Sequence, residues 1–539
     1  MVNVLYVLHD TNLGGATRSL LDCLKSIKEK VNPRVIVPGY GPACVELDSL
    51  GVPYEVFSFC AGYGPIGKHS ENDVNRSFWL NYNCAIQIAK VSCEKGWNLQ
   101  LIHTNSSVNC VGAMLALILR IPHVWHFREF LEEDFNSEIW DTELQRKLIQ
   151  SSEKCIAISD SIKEKYESIN GITFERIYNG LSIEEYCVKK GKESINHSFY
   201  VAGTVQEGKG QAEAIKAVDY LVNDKGVRDI SLHIVGYGDE RLVWVLSKFI
   251  KKRALENNVF IHDFSPDLSD LRRMCTYSLT CSKKEALGRS TIEAMLARKI
   301  VVGADTGGTL EIIGKRQEKR GLLYKQGDYV NLAETMLKAM SLSADEYEEY
   351  LDNAQSYCVE TFDSDNYTNR LINCYEEVLS SFEFDEKREG LLRELESRFK
   401  YLDSDNVIKT PPGVKSDKYR VLFYTLMKWL SNNRYKKNVE KTISQKGWKN
   451  IAIYGMGYLG RILYDELEES DIKIVYFIDN SFTDPIGAFD VYRFGDDLPI
   501  VDGIIVTVAE HVDEIVDGCR RVLEYHVYSI QELLNGELY

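Results

Sequence analysis

The stretch VNVLYVLHDTNLGGATRSLLDCLKSI, residues 2–27, decides the fold class of this chain. Val2 to Leu8 is a continuous apolar run typical of a buried strand, and His9 to Gly15 is a polar turn with paired glycines. Ala16 to Ile27 then has apolar residues at helical spacing. A strand, a short turn and a helix in this order form one β-turn-α unit, and repeated units predict a parallel sheet covered by helices.

The same alternation predicts three α/β domains along the chain. Strands are predicted first at 34–37, 99–103, 123–127, 155–158 and 176–178, with helices such as 108–119 and 160–168. After a polar stretch at 189–198 they are predicted at 198–202, 231–235, 259–262, 277–281, 299–303 and 321–324, with helices at 211–223, 240–252, 290–297 and 331–341. A third group has strands at 449–454, 472–478 and 503–508 and helices at 459–468 and 512–523.

Composition excludes several classes of protein. A chain of 539 residues with 44% hydrophobic content is long enough for three or four domains with their own cores, which excludes disorder. Its 64 basic and 80 acidic residues give a net charge of −16, so the overall field repels nucleic acids and anionic lipids. The 13 cysteines have no C-x-x-C pair, which indicates reduced thiols rather than a zinc cluster or disulfide framework.

The chain start and the longest apolar run both favour a cytoplasmic protein, located in the cytosol or at the inner face of the membrane. Met1 leads directly into VNVLYVLHD, which has no basic start, long apolar run or cleavage site of a secretory signal. The apolar run 110–119 is half of the ~20 residues that a membrane-spanning helix needs.

Between the second and third domains the sequence predicts a helical linker. Residues 362–399 are rich in Glu, Leu and Tyr at helical spacing, 409–418 contains two prolines and a glycine, and 419–430 is apolar and helical. Residues 415–441 hold eight basic and two acidic residues. Two interpretations stay open: a helix docked on a neighbouring domain with a solvated basic flank, or a peripheral contact with an anionic membrane surface.

The segment SKKEALGRSTIEAMLA, residues 282–297, carries the most specific chemistry. Glu285 would lie at the carboxyl end of a strand, where it can accept hydrogen bonds from sugar hydroxyls. Gly288 to Thr291 would present backbone N–H groups and a helix dipole to a diphosphate. Glu293, one turn into the helix, could accept hydrogen bonds from ribose hydroxyls.

This segment resembles the Glu-x7-Glu signature of retaining glycosyltransferases with the GT-B fold, family 4 in particular. The resemblance covers residues 1 to about 380, and its other motifs are HDTNLGGA, HVWHFREF, CIAISDSIKEKY, IYNGLSIEEY, VAGTVQEGKGQ, HIVGYGDE and GADTGGTLEII. It implies two Rossmann-like parallel-sheet domains facing a cleft, an acceptor-side domain at 1–185 and a donor-side domain at 186–382. The helical linker at 383–447 and a small Rossmann-like domain at 448–539 would follow.

The resemblance also implies roles for individual residues. His126, Lys209 and Glu285 would be catalytic: Lys209 would neutralise the donor diphosphate, Glu285 would position the sugar, and His126 would face it at the reaction centre. The implied donor-binding set is Gly15, Gly203, Lys209, His262, Phe264, Glu285, Leu287, Gly288, Arg289, Ser290, Thr291 and Glu293. Arg128 and Glu129 could contribute to the same site or pair with each other.

One departure from the family pattern is visible. Many members have an arginine a few residues before this lysine, whereas the segment here reads Gly203, Thr204, Val205, Gln206. The missing charge would have to come from elsewhere, and Arg289 is the candidate. A degenerate glycosyltransferase subunit, which binds a nucleotide sugar and supports a partner enzyme, therefore stays open beside an active enzyme.

The last domain contains a second glycine motif. Gly455, Gly457 and Gly460 form G-x-G-x-x-G after a predicted strand, and Asp479 ends the next strand. This is the context of a dinucleotide site, yet about 90 residues leave little room for a catalytic partner domain. Nucleotide binding and a structural or oligomerising role both stay open.

The resemblance implies transfer of a sugar from a nucleoside diphosphate donor to a glycan or lipid-linked glycan in bacterial surface polysaccharide synthesis. UDP is the favoured nucleotide, and GDP stays open. No metal or cofactor besides the donor would be required, no nucleic acid would bind, and a homo-oligomer is compatible with the sequence. A nucleotide-sugar 2-epimerase is the competing enzyme, although its acid and base carboxylates have no obvious candidates here.

Overall fold

We describe the protein from a computed structural model that covers residues 1–191, 195–236, 238–265, 267–404, 425, 429, 439–508, 512–523 and 525–535. The chain divides into two compact units, one formed by residues 1–237 and 257–409, the other by residues 238–256 and 410–539. The α/β fold with parallel sheets that the sequence predicts is confirmed.

The first sheet of the first unit is entirely parallel. Its strands in chain order are β1 (Val2–Val7), β2 (Val31–Val37), β3 (Tyr54–Val56), β5 (Leu101–Asn105), β6 (His123–Phe127), β8 (Lys154–Ala157) and β9 (Glu175–Arg176), arranged 3-2-1-5-6-8-9. Two short strands between them, β4 (Tyr63–Pro65) and β7 (Ser137–Ile139), form a separate antiparallel pair. Residues 4–7 of β1 are fully buried because helices cover both faces of the sheet.

The second sheet of this unit is also parallel. It consists of β10 (Ser198–Ala202), β11 (Ser231–Val235), β12 (Val259–His262), β13 (Tyr277–Thr280), β14 (Ile300–Ala304) and β15 (Leu322–Tyr324), in the order 12-11-10-13-14-15. The chain runs outward from β10 in one direction and resumes at β13 on its other side, so the loops after β10 and β13 diverge at a topological switch point. Ligands of open parallel sheets bind at such points, at the carboxyl ends of the strands.

Helices connect the strands of the first unit, and further helices follow its last strand, β15, along the chain. They are Gly15–Ile27, Pro42–Leu50, Glu71–Glu94, Val111–Leu119, Leu131–Phe135, Thr142–Ser151, Asp160–Asn170, Ile183–Tyr186, Gln211–Asp219, Ser269–Met274, Arg289–Leu296, Gly307–Ile313, Tyr329–Met340, Ala344–Phe362, Ser364–Ser381 and Glu386–Ser404. Short 3₁₀ turns occupy Glu207–Lys209 and Arg316–Glu318, and a π-helical turn follows at Tyr220–Asp224. The helix Ser364–Ser381 packs its Tyr367 and Tyr375 into the core of the first sheet.

The second unit contains the third parallel sheet. Its strands are β16 (Asn450–Tyr454), β17 (Lys473–Ile478), β18 (Val491–Tyr492), β19 (Gly503–Val506) and β20 (His526–Ser529), in the order 18-17-16-19-20. Its helices are Glu240–Lys252, Val439–Gln445, Tyr458–Leu467, Val512–Val522 and Ile530–Asn535. The first of these comes from the middle of the chain, between β11 and β12.

Within the second unit, the helix Glu240–Lys252 is held by aromatic and charged contacts. Trp244 stacks on Phe489 with ring centroids 5.1 Å apart, and its indole N–H donates to Asp465 over 3.1 Å. Lys248 forms ion pairs with Asp465 and Glu468.

Several predicted strands have the predicted bounds, including 123–127, 198–202, 231–235 and 259–262. The predicted helix 211–223 is an α-helix only to Asp219, after which it continues as the π-helical turn. The predicted linker at 409–418 and the helix at 419–430 lie outside the described residues except for Thr425 and Trp429, as does most of the basic segment 415–441. Among the helices that the structure describes, none has the length and apolar character needed to span a bilayer.

Candidate active site

A cavity of about 670 Å3 lies between the two sheets of the first unit. Its walls are the segments that follow β1, β6, β10 and β13, because the carboxyl ends of parallel strands meet at one edge of each sheet. Of the residues predicted to bind the donor, those that line the cavity are Gly15, Gly203, Lys209, Glu285, Arg289 and Ser290. The structure therefore brings the first loop and the Glu285 segment to the same space.

Lys209 and Glu285 form an ion pair at the switch point of the second sheet. The Lys209 ammonium lies 3.1 Å from Glu285 Oε2 and 3.3 Å from Oε1. The hydroxyl of Ser282 donates to Glu285 Oε2 over 2.6 Å and fixes the orientation of the carboxylate. Lys209 follows β10 and Glu285 follows β13, and these two strands are neighbours in the sheet.

Asp134 is a third member of this cluster, and the sequence analysis missed it. Its Oδ1 lies 3.6 Å from the Lys209 ammonium, and the side chain is 4% exposed. That oxygen has no hydrogen-bond partner among the described residues. Asp134 belongs to the short helix Leu131–Phe135, after β6 of the first sheet, so the two carboxylates reach one lysine from opposite walls of the cavity.

Burial and the single positive charge have different effects on these three groups. Burial raises the pKa of Asp134 to about 7, since the attraction of Lys209 only partly offsets desolvation and Glu285 adds repulsion. Burial also acts to raise the pKa of Glu285, but the closer Lys209 charge prevails and lowers it. The Lys209 pKa is raised because Glu285 and Asp134 outweigh the desolvation that would lower it.

The helix that carries Asp134 contacts the turn that carries Lys209 through the backbone. The side-chain Nε2 of Gln206 donates to the backbone carbonyl oxygen of Asp134 over 3.2 Å. A Cβ added to Gly208 would lie 2.7 Å from the same carbonyl oxygen, so only glycine permits this approach. The position of the Asp134 backbone is therefore set by the Gln206 side chain and the Gly208 backbone across the cavity.

Arg289 does not have a free positive charge to replace the missing family arginine. Its guanidinium donates to Asp22 Oδ2 over 2.7 Å and to Glu293 Oε1 over 2.8 Å. Glu293 in turn accepts from Arg272 over 2.6 Å and is 8% exposed, which leaves its carboxylate enclosed by two arginines. The charge of Arg289, the candidate to replace the missing arginine, is therefore paired with two carboxylates in this structure.

His126 lies behind the cavity wall rather than among the lining residues. The side chain is fully buried, and burial together with Arg128 lowers its pKa well below the usual range, so the ring is neutral. Arg128 donates to His126 Nδ1 over 3.2 Å and itself lines the cavity. The predicted catalytic histidine is thus connected to the cavity through Arg128.

Arg128 and Glu129 do not pair with each other. Arg128 is 5% exposed and donates to the neutral groups of Asn105, Asn179 and Tyr367 as well as to His126. Glu129 accepts from the hydroxyls of Ser106 and Ser107 and from the backbone N–H of Ser107. These two side chains point to different partners because consecutive residues after a strand diverge.

The remaining predicted donor residues shape the site without lining the cavity. Gly288 precedes the helix Arg289–Leu296 with a φ of 95°, a conformation that favours glycine. Leu287 is buried, and the Thr291 hydroxyl shares a hydrogen bond of 2.8 Å with Thr280. A Cβ on Gly308 would lie 2.5 Å from the Leu287 backbone, which explains the paired glycines at 307–308 by packing.

His262 is the last residue of β12 and Phe264 follows it. The strands β11 and β10 separate β12 from β13 in the sheet, and neither residue lines the cavity. The His262 ring is 2.9 Å from His233 Nδ1, and Phe264 is 50% exposed.

In the second unit, the Asp479 carboxylate is already occupied by local partners. Its Oδ2 accepts from the backbone N–H of Met456, inside the glycine motif, over 2.9 Å, and its Oδ1 accepts from the N–H and hydroxyl of Ser481. Arg241 lies 3.6 Å away. A Cβ on Gly460 would be 2.0 Å from the Gly455 carbonyl oxygen, so packing of the turn itself requires that glycine.

Known proteins are similar to residues 13–357 of this chain. Residues 13–185 match the family Glycosyltransferase Family 4, and residues 183–357 match Glycosyl transferases group 1. The uncharacterized glycosyltransferase MJ1178 of Methanocaldococcus jannaschii is 25% identical over 246 residues, which are 45% of this chain and 66% of that protein. This chain therefore spans just under two thirds of the length of that curated relative.

Solved structures share the fold of the first unit. Anabaena Alr3699/HepE, in complex with UDP and glucose, is 22% identical with a TM-score of 0.59 and covers 71% of this chain and 100% of its own. A glycosyltransferase from Rickettsia africae is 18% identical with a TM-score of 0.57 and covers 70% of this chain and 99% of its own.

Proposed function

We propose that this chain, whose residues 13–185 and 183–357 match two glycosyltransferase family models and whose first unit has a GT-B fold, transfers a sugar from a nucleoside diphosphate donor. The observation that carries the proposal is the ion pair of Lys209 and Glu285 at the switch point, inside a cavity large enough for such a donor. An ammonium group suits a diphosphate, and a fixed carboxylate suits sugar hydroxyls.

The proposed reaction retains the anomeric configuration and needs no metal. The bond between the anomeric carbon and the diphosphate oxygen breaks, and the acceptor hydroxyl oxygen bonds to that carbon on the same face. The hydroxyl proton passes to the departing phosphate oxygen. Lys209 and the N-terminus of the helix Arg289–Leu296 stabilise the charge on the leaving diphosphate.

Other predicted residues have subordinate roles in this proposal. Glu285 positions the sugar. Glu293 gives up its hydrogen bond with one of its two arginines and accepts hydrogen bonds from the ribose hydroxyls instead. His126 is a positioning residue, since Arg128 stands between its ring and the cavity. Gly15 has no atom within 4 Å of an added Cβ, so the first loop has open space in which a phosphate could approach its backbone.

We propose UDP in preference to GDP as the nucleotide. The solved structures of Anabaena Alr3699/HepE contain UDP or UDP-glucose, and a Staphylococcus aureus TarM structure of the same fold contains UDP. The acceptor in this proposal is a glycan or lipid-linked glycan of a bacterial surface polysaccharide. The transfer would take place at the cytoplasmic face of the membrane, where residues 415–441 could contact anionic lipids.

Transfer assays with variants of the ion pair test the proposal. The wild-type chain is incubated with UDP-sugars and a mixture of lipid-linked glycans, and UDP release and the anomeric configuration of the product are measured. Lys209→Ala and Glu285→Ala should each lower kcat/KM by about 100-fold or more, as loss of a charge-stabilising group does elsewhere. Lys325→Ala, an exposed lysine of the same unit, is the matched control and should keep full activity.

The alternatives give different results in the same experiment. An epimerase would convert a UDP-sugar to its 2-epimer without any acceptor, with no UDP accumulating. A degenerate subunit would bind UDP but release none from any donor, and its Glu285→Ala variant would be indistinguishable from wild type in every transfer assay.

For the second unit we infer a structural role rather than a second nucleotide site. In the dinucleotide fold the acidic residue at the end of the second strand accepts hydrogen bonds from ribose hydroxyls. Asp479 instead binds its own glycine turn and Ser481. Calorimetric titration of the whole chain with NAD should therefore give no binding heat, whereas binding abolished by Asp479→Asn would refute this role.

A further inference from the structure

The cluster of Asp134, Lys209 and Glu285 has an unusual charge balance for a diphosphate site. Two carboxylates share one ammonium, so the three groups together have a net charge of −1 when all are ionised. A nucleoside diphosphate adds at least two further negative charges beside them. Repulsion at this distance, in a partly desolvated cavity, would oppose donor binding unless one carboxylate became neutral.

Geometry distinguishes the two carboxylates. Glu285 is held at hydrogen-bond distance by Lys209 and accepts a second hydrogen bond from Ser282, both of which favour its ionised form. Asp134 lies 3.6 Å from Lys209, its Oδ1 is buried without a hydrogen bond, and its side chain is 4% exposed. The raised pKa of Asp134 agrees with this difference.

The other charges around Asp134 do not change this assignment. On its own helix, Glu133 pairs with Lys165 and with Lys284, so its charge is already balanced. The two charged groups with the largest effects on Asp134 are Lys209, which lowers its pKa, and Glu285, which raises it. When a diphosphate engages Lys209, the attraction that holds Asp134 ionised is shared with the ligand.

We propose that Asp134 is a donor-positioning residue that becomes protonated when the diphosphate binds at Lys209. This inference rests on the proposed function. It assigns a part in donor binding to the wall of the cavity that follows β6 of the first sheet. The proton comes from solvent and is bound at the buried carboxyl oxygen. The neutral carboxyl group then donates a hydrogen bond to an oxygen of the donor, instead of repelling it.

Contacts of its backbone carbonyl hold Asp134 close to the phosphate site. The Asp134 carbonyl is fixed against Gln206 and Gly208, within the turn that ends in Lys209. Asp134 therefore cannot withdraw from the ligand without breaking that contact. Protonation removes the repulsion while the contact between the two walls is kept.

Calorimetric titration of the whole chain with UDP tests the proposal. At about pH 8 the terminal phosphate of UDP is already ionised, so a proton taken up on binding comes to the protein. Titrations in buffers of different ionisation enthalpy should give close to one proton bound per UDP for wild type. As the pH rises above the pKa of Asp134 in the ligand-free protein, the affinity of wild type for UDP should fall by up to about tenfold per pH unit.

Two variants give the decisive comparison. Asp134→Asn mimics the neutral carboxyl group and should bind UDP more tightly at about pH 8, with no proton uptake and a flat pH profile. Glu133→Gln, its neighbour on the same helix, should bind with the proton uptake of wild type. UDP binding without proton uptake in wild type, or uptake that persists in Asp134→Asn, overturns this inference alone. Failure of wild type to bind UDP at any pH overturns the proposed donor and this inference together.

Discussion

A single buried carboxyl group, Asp134, links the stability of the first unit to pH. Its pKa in the folded chain is about 7, compared with an ordinary value of 3.8. Between these values the folded state holds a proton that the unfolded state has lost, so stability falls as pH rises through this interval. Above this interval Asp134 is ionised in both states, and the folded state is destabilised by the full free-energy cost of burying the charge.

Asp134→Asn should therefore stabilise the protein only at higher pH. We expect an increase of about 1–3 kcal/mol in the free energy of unfolding near pH 8 and none near pH 4. Urea unfolding at both pH values measures this difference. An equal effect of the substitution at the two pH values would show that the carboxyl group is not buried as described.

Glu293 illustrates why a predicted ligand residue needs a stability control. It is enclosed by Arg272 and Arg289, so Glu293→Gln leaves two partly buried guanidinium groups with less compensating negative charge. We expect a loss of about 2–4 kcal/mol in unfolding free energy, before any donor is added. Glu334→Gln, at an exposed position, should change stability by less than about 0.5 kcal/mol. An unchanged melting temperature for Glu293→Gln would contradict the buried arrangement.

Of the three residues in this cluster, Lys209 and Glu285 could be predicted from the sequence, and Asp134 could not. Lys209 and Glu285 each follow an apolar strand of their sheet, and the residues after neighbouring strands of a parallel sheet meet at one edge. Asp134 occurs in the acidic stretch LEEDF, whose composition is typical of a solvated turn. Its burial depends on a backbone contact with residues 72 to 74 positions away, which no local pattern encodes.

At the scale of elements, the turn between β10 and the helix Gln211–Asp219 depends on glycine. Gly210 has a φ of 73°, and an added Cβ would lie 2.0 Å from the Cys281 carbonyl oxygen at the end of β13. Neither the backbone conformation nor the space tolerates a side chain. This turn carries Lys209 to the switch point, so its geometry is a condition for the ion pair.

Gly210→Ala should accordingly destabilise the first unit by about 3 kcal/mol or more and disrupt UDP binding. Gly15→Ala is a matched comparison, since its Cβ would meet nothing within 4 Å and its φ is not positive. We expect this second variant to melt like wild type and to bind UDP more weakly if the first loop approaches the diphosphate. Circular dichroism melting and UDP titration separate the two effects.

Three strands with accurately predicted bounds, β6, β10 and β11, each contain a run of at least three consecutive buried residues that are mostly apolar. Such runs are specified by burial on both faces, which the sequence displays directly. The pair β4 and β7 was missed because its strands are only three residues long and are paired across more than 70 residues. Similarly, β18 contributes two residues to an edge of the third sheet, too few for a period to be visible.

At the scale of the whole molecule, the second unit depends on a helix contributed by the middle of the chain. Trp244 supplies its central aromatic contacts, with Phe489 and with Tyr464. We expect Trp244→Ala to lower the unfolding free energy of this unit by about 2–3 kcal/mol, because the ring is half-buried. Ser247→Ala, exposed on the same helix, should have no effect. Urea unfolding monitored by far-ultraviolet circular dichroism provides the comparison.

The origin of the helix Glu240–Lys252 also matters for anyone who shortens this protein for expression. Truncation of the chain before residue 410 would remove the rest of the second unit but not this helix. The shortened protein would keep Trp244 and Lys248 without the aromatic rings and carboxylates that they contact. The newly uncovered Trp244 side chain would add exposed apolar surface, which promotes aggregation. A useful truncation would therefore replace Trp244 with a polar residue at the same time, so that a loss of solubility is not mistaken for a loss of activity.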